Sequence, residues 1–356
     1  MVSALCSPIF STTWAMPTSS INFKFEARAA TLDLLWRQWT TLGVSGHAAP
    51  ASGDFLLDPE ALLLASTTLA RFDARLFDEV LDWLHDQADW VNLQRLVRLQ
   101  KDHALGDATV LTAIATRLAR VPAHKKWSTL VKAHTGPAVS RAPLFPEAGH
   151  FGATDPDFLA QGWQRGLIRY RGLATAPRMD HAGNLLLKLR ALFGRQSRAE
   201  VMAWLLAHDS GHPAEIARQT GHFRRSIQLT LNELERSGHI RARRESREKH
   251  FSLPHDDWRF LATWKNPPEQ GFPAWMPWAA VFRWLEQFHA LLNDAALATA
   301  SPELQAIEWR RRLDYAPLAD SPLPASLTLP VETRGPDALA AHQDRFRSLI
   351  ARLAHT

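Results

Sequence analysis

The chain carries a single cysteine, Cys6, among 356 residues. One thiol excludes an internal disulfide framework and any zinc finger built on cysteine pairs, and it suits a reducing cytoplasm, which is the expected location. No apolar run is long enough to cross a bilayer, so no membrane partner is expected. The first residues lack the basic start and unbroken apolar core of a secretory signal, because Pro8, Ser11, Thr12 and Thr13 interrupt them. Residues 1–25 are read as a disordered leader, with Met16 inside it as a second candidate start.

Signatures of catalysis are missing as well. No Gly-Lys-Ser/Thr follows a glycine-rich turn, and there is neither a nucleophile elbow nor a dinucleotide fingerprint. The segment His208, Asp209, Ser210, Gly211, His212 superficially resembles a zinc-protease helix. That chemistry needs two histidines on one helical face with a carboxylate base between them, and here Gly211 and Pro213 stop the helix. No catalytic residue, metal or cofactor is therefore expected, and the chain is read as a non-enzyme.

What remains is a soluble, mainly α, multidomain chain, 46% hydrophobic and with a net charge of +5. Residues 26–135 read as an acidic helical domain. Asp58 caps a helix that starts at Pro59, Asp73 caps the next, and Leu76, Phe77, Val80, Leu81 and Leu84 recur at helical intervals. From Asp54 to Asp89 nine carboxylates face only Arg71 and Arg75. Such a surface repels phosphate, and it reads either as a solvated helix face or as the site of a protein partner. Residues 136–181 are rich in Pro and Gly and read as a linker and hinge with a short helix over 157–164. Residues 256–356 form a Trp-rich helical region. There Trp278, Val281, Phe282, Leu285, Phe288 and Leu292 make one stripe, expected in a core or a dimer seam.

Residues 182–255 hold the most informative stretch. A helix over Asn184–Phe193 leads into it, and Ser197 with Glu200 forms a capping box, so a helix is expected from Arg198 to about His208. A second, short helix begins at Pro213 and ends at Gly221. A third carries Ile227, Leu231 and Leu234 on one stripe and stops at Gly238. His239–Arg244 and His250–Leu253 then read as two strands joined by a polar turn, Glu245 to Glu248.

Three helices followed by a basic hairpin, with EIARQTG at Glu215–Gly221, SIQLTLNELERSG at Ser226–Gly238 and the RARR…REKHFSL segment, resembles the winged helix-turn-helix of MarR- and ArsR-type regulators. The likeness covers residues 197–253. It implies a central winged domain with a small β-hairpin wing and a sequence-specific regulator of transcription that binds double-stranded DNA as a homodimer.

A major groove admits one helix. Arg224, Arg225 and Gln228, beside Ser226, are the expected readers, with arginine matching guanine and glutamine matching adenine. Arg241, Arg243, Arg244, Arg247 and Lys249 are expected on phosphate. From His222 to His250 eight Lys and Arg stand against four Glu, which is nearly the whole net charge of the chain. The alternative is a protein-interaction subunit, antitoxin-like or a defence-system accessory, whose winged unit meets a partner chain.

Overall fold

The computed structural model describes residues 20–47, 49–133, 141–148, 152–245, 248–269, 271–333 and 337–355; Cys6, Met16 and Arg247 lie outside them. It is mainly helical with two small sheets. Helices α1 (Ser20–Thr41), α2 (Pro59–Ser66), α3 (Ala74–Gln87), α4 (Leu93–His103), α5 (Ala108–Leu118) and α6 (Ser128–Ala133) come first. Four of them start where a short polar side chain accepts a first-turn N–H: Asp58 from Ala61, Asp73 from Leu76, Asn92 from Arg95, and Asp107 from Thr109 and Val110. Helix α1 also takes in part of the expected leader. Its Phe23 is fully buried, edge-on to Phe288 and Phe346, so the core holds the chain from Phe23 onward.

The strands β1 (Ala142–Pro143) and β2 (Trp163–Gln164) pair in parallel around α7 (Pro156–Leu159). The helix expected over 157–164 thus stops early, because Gly162 adopts a left-handed φ of 84° and turns the chain into a strand. Nor is the segment from 141 to 181 a hinge. Leu144, Phe145, Phe158 and Ile168 are buried in the first core, and the backbone N–H groups of Arg171, Gly172 and Leu173 all donate to Asp82 of α3.

Next come α8 (Leu185–Phe193), α9 (Ser197–Leu206), α10 (Pro213–Thr220), α11 (Arg224–Arg236) and an antiparallel hairpin of β3 (Arg241–Glu245) and β4 (Glu248–Ser252). The chain closes with α12 (Trp278–Leu292), α13 (Ala295–Ala298), α14 (Pro302–Arg312), α15 (Ala325–Thr328) and α16 (Asp337–His355).

Two apolar cores organise these elements, and they divide the chain differently from the sequence reading. One gathers side chains from residues 23–168 and 276–353 together with Leu187; the other gathers those from 182–275 together with Leu56. The Trp-rich C-terminal stretch is therefore split. Trp258, Trp264 and Trp275 pack with α8 to α11, whereas Trp278 and Trp284 pack with α1, α2 and α16. Stacking of Phe288 on Phe346 at 4.5 Å and the bond from the Trp278 indole N–H to the Leu56 carbonyl at 2.7 Å fasten α12 and α16 to the N-terminal helices. The aromatic stripe is thus satisfied within the chain.

The acidic stretch is also used inside. Glu60 is fully buried, and Asp58, Glu79 and Asp82 are buried too. Arg95 of α4 donates to both Asp58 and Glu60 and, through Nε, to the Thr220 carbonyl at 2.7 Å. Arg190 of α8 satisfies all five of its N–H groups on Glu60, Glu200 and the Trp90 carbonyl. Glu79 pairs with Arg171. These four carboxylates form neither a solvated face nor a partner surface: cations from distant parts of the chain neutralise Asp58, Glu60 and Glu79 in the interior, and backbone N–H groups hold Asp82. Among the described residues no helix is long and apolar enough to cross a membrane.

Candidate nucleic-acid interface

Residues 197–253 fold as α9, α10, α11 and the β3–β4 hairpin around a shared core of Val201, Leu205, Ile216, Ile227, Leu231, Ile240 and Phe251. Gly211, between α9 and α10, exchanges two backbone hydrogen bonds of 2.9 Å with Phe251, so the hairpin is bound to the helices by a third short extended piece. A Cβ on Gly211 would lie 2.3 Å from the Trp204 indole. Glycine is required there by close approach.

The capping box does not form. Gln196 holds the N-cap position of α9, Ser197 Oγ instead meets Thr230 Oγ1 at 2.9 Å, and Glu200 turns inward to Arg190. Burial alone would push the Glu200 carboxyl up, but Arg190, His222 and Arg95 outweigh it and hold it at about 2. The helix also stops at Leu206 rather than near His208. His208 stacks on Trp204 and donates its Nδ1 proton to that residue's carbonyl, and burial pushes its ring toward the neutral form. His212 accepts from Ala214 N at the start of α10, with Pro213 in the first helical position. Among the described residues no group of three or more His, Cys, Asp or Glu side chains is placed to hold a metal ion.

Gly221 ends α10 with φ 69°, and a Cβ there would lie 2.9 Å from Leu99 of α4. The turn before α11 is thus seated on α4, where Arg95 holds the Thr220 carbonyl and Arg98 lies 4.5 Å above the ring of Phe223. Phe223 itself is 68% exposed. Helix α11 buries Ile227, Thr230, Leu231 and Leu234 against α9 and α10.

The expected site residues are not all placed alike. Arg225 is exposed and stands nearly opposite the buried stripe, at about 160° from Ile227 on a helical wheel. Arg224 is exposed but points aside. It lines a cleft of about 530 Å³ between α4, α10 and the start of α12, where Arg218 pairs with Asp320. Gln228 is half-buried and donates to Asn232 at 3.1 Å, and Ser226 is half-buried beside it.

On the hairpin, Arg241, Arg243 and Arg244 are exposed. Lys249, expected on phosphate, instead pairs with Glu235 and covers Phe251 at 5.0 Å, because its strand position shares a face with that buried ring. This contact sets the hairpin beside the last turns of α11. Arg247 lies outside the described residues. Among the described residues, Arg224, Arg225, Arg241 and Arg244 make no ion pair or side-chain hydrogen bond, so four guanidinium groups are open to an anionic partner.

Leu229, Asn232 and Arg236 were passed over in the sequence reading although they line the same outward ridge as Arg225. Their spacing of four, three and four residues is the sequence signal for that ridge. No family model, curated protein or solved structure matches this chain.

Proposed function

We propose that the protein is a sequence-specific DNA-binding regulator of transcription, acting in the cytoplasm as a homodimer, and that residues 197–253 work as a winged helix-turn-helix. The carrying observation is the open guanidinium group of Arg225 on the outward side of α11 together with those of Arg241 and Arg244 on the hairpin that Lys249 and Glu235 hold beside it. In this reading Arg225 and Gln228 meet base edges. Arg224 and Ser226 flank them, and Arg241, Arg243, Arg244 and Arg247 anchor phosphate. A dimer would require two half-sites about one helical turn apart, or a multiple of it. The competing reading, a subunit docking a protein through an acidic N-terminal surface, has fewer carboxylates to draw on, because Asp58, Glu60, Glu79 and Asp82 are buried.

The test is fluorescence anisotropy with a duplex carrying the DNA upstream of the coding sequence, against a scrambled duplex, at several salt concentrations. The proposal expects selective binding by the wild type and its loss in the Arg224→Glu, Arg225→Glu double variant. Binding that ignores both sequence and these arginines would overturn it.

A further inference from the structure

The outward ridge of α11 carries more chemistry than phosphate binding needs. At about 100° per residue, Arg225, Leu229, Asn232 and Arg236 fall on one line opposite the Ile227, Leu231 and Leu234 stripe. Leu229, at the middle of that line, is 55% exposed. A lone exposed leucine needs no explanation. This one stands a turn after an arginine and just before an amide, which is the arrangement of a groove-facing position.

The amide is itself one half of a pair. Gln228 Nε2 donates to Asn232 Oδ1 at 3.1 Å, an i, i+4 bond on the helix surface. With that bond made, the Gln228 carbonyl oxygen is left as an acceptor and the Asn232 NH2 as a donor. An adenine presents the complement in the major groove, a donor at N6 and an acceptor at N7, while its paired thymine projects a methyl group.

Resting on the DNA-binding reading above, we infer that α11 selects an A·T pair about one to three base pairs from the guanine met by Arg225. The Gln228 and Asn232 amides read adenine, and Leu229 packs on the thymine methyl. The offset follows from the 1.5 Å rise per helical residue against about 3.4 Å per base pair. Arg236, at the far end of the ridge, then meets phosphate.

The experiment selects bound duplexes from a random pool with the full-length protein and then edits single atoms of the selected site. Deoxyuridine in place of thymidine removes only the methyl group. It should weaken the wild type roughly fourfold, the worth of one buried carbon, and leave Leu229→Ala unaffected. Replacing adenine by 7-deazaadenine removes the N7 acceptor that the Asn232 NH2 meets, so it should weaken the wild type about fivefold or more and leave Asn232→Ala unaffected. Leu229 is half in solvent, so Leu229→Ala should fold normally, and a circular dichroism melt checks this. A selected site without an A·T pair at that offset, or uridine and deazaadenine effects that persist unchanged in the variants, would overturn the inference while leaving DNA binding intact. Failure to enrich any sequence would overturn the DNA-binding reading and this inference together.

Discussion

Acidification should unfold this protein in part through Glu200, and the size of the effect follows from its surroundings. The carboxyl is fully buried, receives two hydrogen bonds from Arg190 and faces His222 Nε2 at 3.6 Å. Its affinity for a proton falls from an ordinary 4.5 in the unfolded chain to about 2 in the fold. A depressed carboxyl contributes stability that is complete above the unfolded value and is lost as the pH falls through the folded one. At about 1.4 kcal/mol per pH unit, the loss between pH 6 and pH 2 is about 3 kcal/mol. That is a large share of the 5 to 15 kcal/mol by which domains are typically stable.

Glu200→Gln keeps the shape but mimics the protonated acid, so it should cost about 3 to 5 kcal/mol near neutral pH by leaving Arg190 under-compensated. Urea unfolding followed by tryptophan fluorescence, repeated from pH 6 to pH 2, separates Glu200 from the other carboxylates. The wild-type and Glu200→Gln stabilities should converge as the pH falls. Two curves that stay parallel over that range would refute the reasoning.

The remaining predictions concern packing and charge. Gly211→Ala should cost about 1 to 3 kcal/mol because its methyl meets the Trp204 indole, and Trp204→Leu in the same chain should remove most of that penalty in a double-mutant cycle of thermal melts. If the unit binds DNA, Arg241→Ala and Arg244→Ala should each reduce the slope of log affinity against log salt by about 0.9, whereas Lys249→Ala, whose charge Glu235 already neutralises, should change it less. Phe346→Ala should cost about 3 to 5 kcal/mol and loosen α1 and α12 along with α16, read as faster amide hydrogen exchange in all three helices. Exchange confined to α16 would mean that the C-terminal helix is not part of the first core.

Local rules were written plainly in the chain. Asp58 and Asp73 each precede a helix with recurring apolar positions and each accepts a first-turn N–H in the structure, because capping needs only a short polar side chain and the backbone beside it. Pro213, Gly221 and Gly238 bound α10 and α11 for equally local reasons of φ and missing N–H. The stripe of Ile227, Leu231 and Leu234 specified which face of α11 is buried, and hence that Arg225 faces out.

Tertiary structure decided what depends on residues far apart. Ser197 and Glu200 satisfy a capping pattern, yet the buried Arg190, which Glu60 also meets, captures the carboxylate, since pairing a buried guanidinium outweighs a surface cap. Asp58, Glu60 and Glu79, three of the nine carboxylates from Asp54 to Asp89, look like a surface until Arg95, Arg171 and Arg190 arrive from residues up to 130 positions away. Lys249 reads as a free cation until strand alternation places it over Phe251 and against Glu235. Helix ends and faces are set within one turn of chain. The destination of a charge is set by whichever opposite charge the fold places beside it, and in these pairs that partner lies 10 to 130 residues away along the chain.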